Sequence, residues 1–366
     1  MRNLKHILVS GMGGLVPVLL RNLDIPIFIE IGSGLIRRLK PIISNYNLNF
    51  SYPLFLFGKR TYQISGAPAV REFTHYEIEY VGPSREEEVR RIEGLITERL
   101  HDVVIGIGGG RVLDVAKLAA ARKNVGFISV PTIPSNDGIA SPVAVIENGG
   151  ENQSIRARVP MGIVVDIDLF HIAPTRQLKA GIGDLIANIS ALHDWRLAFD
   201  DGRDNFDPFA AMLSRLAVEG LIKFENPDLK DHGFIERLVI GLILSGIAMG
   251  IAGSSRPASG SEHEISHAID HLFGGRGLHG EQVAITTLFT LHLQKQPTDR
   301  IRAIYERVAM PKRIDAIGLS IDNFVQAVQY APKTRPGRYT ILEKLNLSRD
   351  EIRTVALESG IWSGSR

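Results

Sequence analysis

The chain has 366 residues, 44% of them hydrophobic and 22% charged, with a formal net charge of +2 and no cysteine. That balance fits a globular protein of one large or two ordinary domains. It excludes disulfides, thiolate catalysis and cysteine-type structural zinc, and no Lys/Arg run marks a nucleic-acid binder.

In Met1–Leu20, Arg2 and Lys5 precede an apolar run like a secretory signal. Gly11, Gly13, Gly14 and Pro17 interrupt it, and no small-x-small cleavage site follows. Ile25–Ile31 then reads as a buried strand, followed by Gly32-Ser33-Gly34 and a helical segment over Leu35–Asn45. Pro53–Gly58 is a second short strand, with Lys59, Arg60 and Thr61 directly after it. Tyr76–Val81 alternates like a strand. Ser84 with Glu87 makes a capping box, and Glu86/Arg90 and Glu87/Arg91 are i,i+4 pairs on a helix reaching about Leu100. Asp102–Gly108 is an apolar strand, Arg111–Lys123 an amphipathic helix and Val125–Val130 a strand. Ser141–Ile146 and Gly162–Asp166 are further strands, separated by the turn-rich ENGGEN.

This alternation predicts a parallel sheet with helices on both faces, a Rossmann-like α/β domain over residues 1–173. Beyond Pro174 the pattern turns helical: Thr175–Phe199, Phe209–Phe224, Phe234–Gly253, Ser259–Leu272, Glu281–His292, Asp299–Val308, Ile321–Tyr330 and Ser348–Glu358. Residues 174–366 are therefore an all-α domain. Leu238–Gly253 is uncharged but shorter than the roughly 18 residues of a membrane span, so its glycines fit a closely packed core helix. The protein reads as cytoplasmic, with no membrane span.

Four segments carry chemistry. In DVVIGIGGGRVLDVAK, a strand runs into Gly108-Gly109-Gly110 and a helix follows. Such a turn lets the backbone approach a phosphate at the helix's positive end, although a plain tight turn uses the same residues. Arg111 breaks the GxGxxG template, and no Gly-Lys-Ser/Thr follows. Asp114 sits one turn in, where it can hold the loop. VPTIPSNDGIASP (130–142) follows a strand and so lies at the carboxyl edge of the sheet. Asp137-Gly138 there is either a turn or a carboxylate aimed at the crevice. Asp184, within KAGIGDLIAN, is a metal-ligand candidate or a capping or exposed polar residue. His263, His267 and His271 recur every four residues, and His279 opens HGEQ. Imidazoles gathered from two helices suit a divalent metal, which needs only three protein ligands when a position is left open for catalysis.

With these loops in order, GGGRVLDVAK, VPTIPSNDGIASP, AGIGDLIAN, RPASGSEHEISHAID and LHGEQ make the chain similar to the archaeal glycerol-1-phosphate dehydrogenases. These belong to the wider group of glycerol dehydrogenases, iron-dependent alcohol dehydrogenases and dehydroquinate synthases. The resemblance covers about residues 100–285 and is weaker before that. It implies the dehydroquinate synthase-like fold, with the site in the cleft between the domains. It also implies zinc, one ion per subunit, on Asp184, His263 and His279. Asp137 and His267, with Asp184, become catalytic residues touching substrate. Gly108, Gly109, Gly110, Arg111, Val112, Leu113 and Asp114 take the nicotinamide dinucleotide, with Thr132, Ile133, Pro134, Ser135 and Ser141. Asn136 departs from the His expected there. The implied reaction is reduction of dihydroxyacetone phosphate to sn-glycerol 1-phosphate by NADH or NADPH, for archaeal ether lipids. Lys59 and Arg60 are candidates for a 2′-phosphate. Arg256, Arg276 and Lys117 are candidates for the substrate phosphate. A homo-oligomer, dimer or octamer, is implied. The rival reading is a dehydrogenase of glycerol or another polyol on the same fold.

Overall fold

The structure, a computed structural model, describes residues 24–134, 136–149 and 151–364, without the side chains of 136, 137, 151 and 152. The signal-like stretch Met1–Leu20 and the cofactor candidate Ser135 lie outside the described residues.

The strands are β1 (Phe28–Gly32), β2 (Pro53–Phe57), β3 (Glu77–Tyr80), β4 (Val103–Gly108), β5 (Gly126–Pro131), β6 (Val143–Asn148), β7 (Glu151–Arg156) and β8 (Gly162–Asp166). Six of them form one sheet in the order β1-β8-β5-β4-β2-β3. Every neighbouring pair is parallel, so all carboxyl ends open on one edge. The order reverses between β2 and β4, which makes the crevice above them the place where open α/β sheets bind ligands.

Helices α1 (Leu39–Asn45), α2 (Lys59–Val70), α3 (Glu86–Arg99) and α4 (Gly110–Lys123) cover both faces. The period-2 geometry of β2 divides its side chains between them. Leu54 and Leu56 join a core with Val89 and Ile92 of α3 and Leu113 and Ala116 of α4. Phe55 and Phe57 join Leu39 and Ile43 of α1 and Ala69 and Val70 of α2 on the other face. Coverage on both faces is why these strands read as unbroken apolar runs.

Three local expectations are corrected. No element is predicted between Gly58 and Tyr76, yet α2 forms there, with Gly66 and Pro68 inside it, and buries Ser65, Gly66, Ala69 and Val70. Tertiary packing overrides propensity there. The Ser141–Ile146 strand does not join the sheet. Residues 143–148 pair antiparallel with β7 instead, in a two-stranded ribbon with Val143 opposite Arg156. Ser84 does not form a capping box with Glu87. Its Oγ donates to Val145 O at 2.9 Å, and Glu88 Oε1 accepts from Gly82 N at 2.8 Å. Arg91 consequently pairs with Glu88 and Glu79, while the Glu86–Arg90 pair forms at 3.3 Å.

Two short helices, α5 (Asn136–Ala140) and α6 (Ile167–His171), lead to the helical half. That half contains α7 (Thr175–Asp200), α8 (Pro208–Ile222), α9 (His232–Ala252), α10 (Ser261–Phe273), α11 (His279–Leu293), α12 (Asp299–Arg307), α13 (Ile321–Tyr330), α14 (Ile341–Leu345) and α15 (Arg349–Glu358). The largest core joins it to the sheet through Ile163, Val165, Ile167 and Phe170. Among the described residues only α9, at 21 residues, is long and apolar enough to cross a membrane, and 61% of its apolar window is buried inside the molecule.

Candidate active site

Two loops at the carboxyl edge form one wall of a cleft of about 1220 Å³. Gly109, with φ −83° and ψ −178°, caps α4 without a side chain. No glycine of Gly106–Gly110 has a positive φ, so the backbone does not require glycine here. Crowding does. A Cβ on Gly108 would press into Val112, and one on Gly109 into Ile133. The first turn of α4 therefore stands uncapped beside the neighbouring loop, and Thr132 N donates to Gly108 O at 3.0 Å. An uncapped helix start at this edge suits an anion.

Gly110, Arg111, Asp114, Ile133 and Pro134 line the cleft. Val112 and Leu113 are buried in the core behind it. Only their backbone groups can serve a ligand. Ser141 is fully buried, and its Oγ is hydrogen-bonded to Val143 O and N at 3.2 Å. Asp137 lies in α5, and its side chain is outside the described set.

The opposite wall comes from α7, α10 and α11. Helices α7 and α11 cross in close contact, because a Cβ on Gly183 would collide with Gly280 O and one on Gly280 with the backbone of Ala180. Arg176 clamps the same crossing, donating to both carboxylate oxygens of Glu281 at 2.7 and 2.6 Å. Glu281 in turn accepts from Leu278 N at 2.8 Å and starts α11. This brings Asp184 beside His279, with Oδ1 3.8 Å from Nε2, too long for a hydrogen bond. His263 joins from α10, its ring centroid 5.2 Å from that of His279. One ligand atom from each of Asp184, His263 and His279 lies within 4.8 Å of the others.

The polar groups behind these imidazoles fix which nitrogen faces the cleft. His263 Nδ1 is 2.9 Å from Glu262 Oε1. His279 Nδ1 is 3.0 Å from Ser266 Oγ. Gln282 Nε2 donates to Asp270 Oδ1 and Arg276 O, so its Oε1 is the acceptor for Ser266 Oγ at 2.6 Å. Ser266 has then used its one proton and accepts from His279 Nδ1–H. The network thus assigns the tautomer and leaves a lone pair on Nε2. Imidazoles held this way from behind are oriented for a metal.

His267 completes the cluster, with its ring centroid 6.4 Å from that of His263 and 5.9 Å from that of His279. Burial holds it well below the ordinary imidazole range, reinforced by the charges of Arg335, His279, His263 and Arg338. It is therefore neutral. His271, the next in the four-residue series, instead stacks on Tyr330 outside the cleft.

The three expected phosphate-binding cations are elsewhere. Lys117 is 1% exposed, and its Nζ donates to Val143 O at 2.8 Å. Arg256 is buried and donates to Asp204 at 2.7 Å and to Tyr339 O at 2.8 Å. Arg276 reaches the site only through its carbonyl. Arg335 and Arg338, which the sequence reading passes over, do line the cleft. Their signal is KTRPGR, a basic run with no acid inside it.

Comparison with known proteins gives the family. The family model of iron-containing alcohol dehydrogenase matches residues 30–174. A glycerol-1-phosphate dehydrogenase [NAD(P)+] of Archaeoglobus fulgidus is 34% identical over 352 residues, covering 93% of this chain and 99% of the relative. That of Pyrococcus furiosus is 38% identical over 320 residues, covering 86% and 92%. The crystal structure of a probable glycerol dehydrogenase from Sinorhizobium meliloti superposes with a TM-score of 0.76 at 22% identity, covering 95% of this chain and all of that one.

Proposed function

Because the chain belongs to the glycerol-1-phosphate dehydrogenase family, we propose that it reduces dihydroxyacetone phosphate to sn-glycerol 1-phosphate, the backbone of archaeal ether lipids. It is an NAD(P)-dependent oxidoreductase acting on a CH–OH group. One observation carries the reading: Asp184, His263 and His279 present ligand atoms within 4.8 Å of one another in the cleft that the glycine loop also lines.

We assign residues 1–173 to the dinucleotide and residues 174–366 to metal and substrate. Asp184, His263 and His279 would hold one zinc ion per subunit. The donor set fits: two imidazoles backed by Glu262 and Ser266, one carboxylate, and a position left open for substrate. When bound, zinc stabilises negative charge on the substrate's C2 oxygen while the nicotinamide supplies the hydride. The chain's own groups bind, orient and manage the proton. The backbone of Gly108–Asp114, at the start of α4, takes the cofactor's pyrophosphate. Thr132, Ile133, Pro134, Ser135 and Ser141 are assigned to the cofactor as well. Neutral His267 keeps an N–H to donate to a substrate oxygen, and Asp137, in α5, is assigned a substrate contact. We further read the protein as a cytoplasmic homo-oligomer, dimer or octamer.

The test is an assay of purified protein with dihydroxyacetone phosphate and NADH or NADPH, with chiral analysis of the product and glycerol as the competing substrate. Turnover of dihydroxyacetone phosphate to the sn-1 isomer supports the assignment. Turnover of glycerol alone replaces it with the polyol reading.

A further inference from the structure

Arg335 and Arg338 open onto the same cleft as the proposed metal ligands, and the reaction described above does not use them. They flank Pro336-Gly337, where Gly337 takes φ +87° and folds the segment back on itself. Both guanidinium groups converge on one hydroxyl. Arg335 donates to Ser255 Oγ at 2.8 Å and Arg338 donates to it at 2.9 Å. Arg338 also donates to the Ser259 carbonyl.

Hydroxyls stand around this pair, and the two carboxyls that act on Arg338, Glu264 and Glu262, are themselves pushed up by burial. Ser254, Ser255, Ser259 and Thr334 line the cleft beside it. Ser259 is only 5% exposed, and its Oγ has no hydrogen-bond partner among the described residues. Both hydrogen bonds of Arg338 go to uncharged acceptors. Two guanidinium groups side by side in a cleft repel each other, and an anion bound between them relieves that repulsion. Burial, then the charges of Arg335 and Arg256, push Arg338 down to about 9 against the opposite pull of Glu264 and Glu262. His267 lines the same cleft and stands beside two of the proposed metal ligands, its ring centroid 6.4 Å from that of His263 and 5.9 Å from that of His279.

We infer that Arg335 and Arg338, with the hydroxyls of Ser255 and Ser259, form the receptor for the substrate's phosphate group. A planar guanidinium fork matches two phosphate oxygens at once, and a second one beside it matches the dianion's charge. Phosphate bound there holds one end of a three-carbon ketone while its carbonyl lies among His267, His263 and His279. The pair thus selects a phosphorylated substrate over its free polyol. This inference rests on the proposed reduction of dihydroxyacetone phosphate.

The experiment compares the wild-type enzyme with Arg335→Ala, Arg335→Lys and Arg338→Gln. It reads the ratio of kcat/KM for dihydroxyacetone phosphate to that for dihydroxyacetone, together with bound zinc and melting temperature. Loss of one charged hydrogen-bonding partner lowers the ratio about 10- to 100-fold, with zinc retained. Arg335→Lys recovers part of it, as a point charge replaces a fork. A ratio unchanged in all three variants overturns the inference while leaving the activity in place. If the wild type does not reduce dihydroxyacetone phosphate, the functional reading falls, and calorimetry with inorganic phosphate then decides this site on its own. Binding to wild type that weakens in Arg335→Ala supports the receptor. No binding to wild type overturns it.

Discussion

Gly183 on α7 and Gly280 on α11 meet backbone to backbone, with no room for a Cβ on either, and each is the chain neighbour of a proposed metal ligand, Asp184 or His279. The close approach of two helices thus sets the separation of two donor atoms. Gly280→Ala forces the helices apart, which at overpacked contacts costs about 1–3 kcal/mol. The variant should melt lower and retain less zinc after dialysis, measured by differential scanning calorimetry and elemental analysis. A variant with wild-type zinc content would separate the helix contact from the metal site.

The hydrogen-bond chain from Gln282 through Ser266 fixes the His279 tautomer. Ser266→Ala removes the acceptor for Nδ1–H without touching the donor nitrogen. Loss of such a partner weakens metal affinity about 10- to 100-fold. Competition with a chromophoric chelator measures it directly. Unchanged affinity would mean the ring is held by packing alone.

Glu264 gives a pH signature. Burial, followed by the charges of Glu343 and Asp194, pushes it up to about 9 from 4.5. At neutral pH it is protonated. Thr340 Oγ1 lies 3.3 Å from its Oε2 and 2.6 Å from Glu343 Oε2. The folded state therefore holds a proton that the unfolded chain releases. Its contribution to stability is complete below about 4.5 and is lost as pH rises through about 9. Relative to Glu264→Gln, wild-type melting temperature should fall steadily from about pH 5 to pH 9. Parallel curves for the two proteins would contradict the assignment.

Lys59 and Arg60 open α2 at the carboxyl end of β2, both exposed. We propose that they meet the 2′-phosphate of NADPH. The double variant Lys59→Ala/Arg60→Ala should raise KM for NADPH about 10-fold or more while sparing NADH. Equal effects on both cofactors would place the adenosine end elsewhere.

Much of the fold is legible in the sequence because burial on both sheet faces writes apolar runs such as PLFLF and VVIGIG. The long helices of the second half are legible for the same reason, and α7 and α13 begin at the residues their patterns indicate. What escapes is decided by tertiary contacts. Helix α2 carries Gly66 and Pro68 and forms because Ala69 and Val70 bury against the sheet. Strand β7, in ENQSIR, is polar because it pairs only with β6 in a separate ribbon rather than in the sheet, and Gln153, Ser154 and Arg156 are exposed. In the site, the histidine spacing shows one helix face but not which ring turns away, and His271 leaves to stack on Tyr330. Arg335 and Arg338 lie outside every motif the sequence offers, and only the fold sets them against the cleft.

The most direct measurement is a zinc-edge anomalous difference map from crystals of the zinc-loaded enzyme. The account predicts one peak per subunit, about 2.0–2.2 Å from a carboxylate oxygen of Asp184 and from Nε2 of His263 and of His279. A catalytically active crystal with its peak on other residues, or with none at this triad, would contradict it.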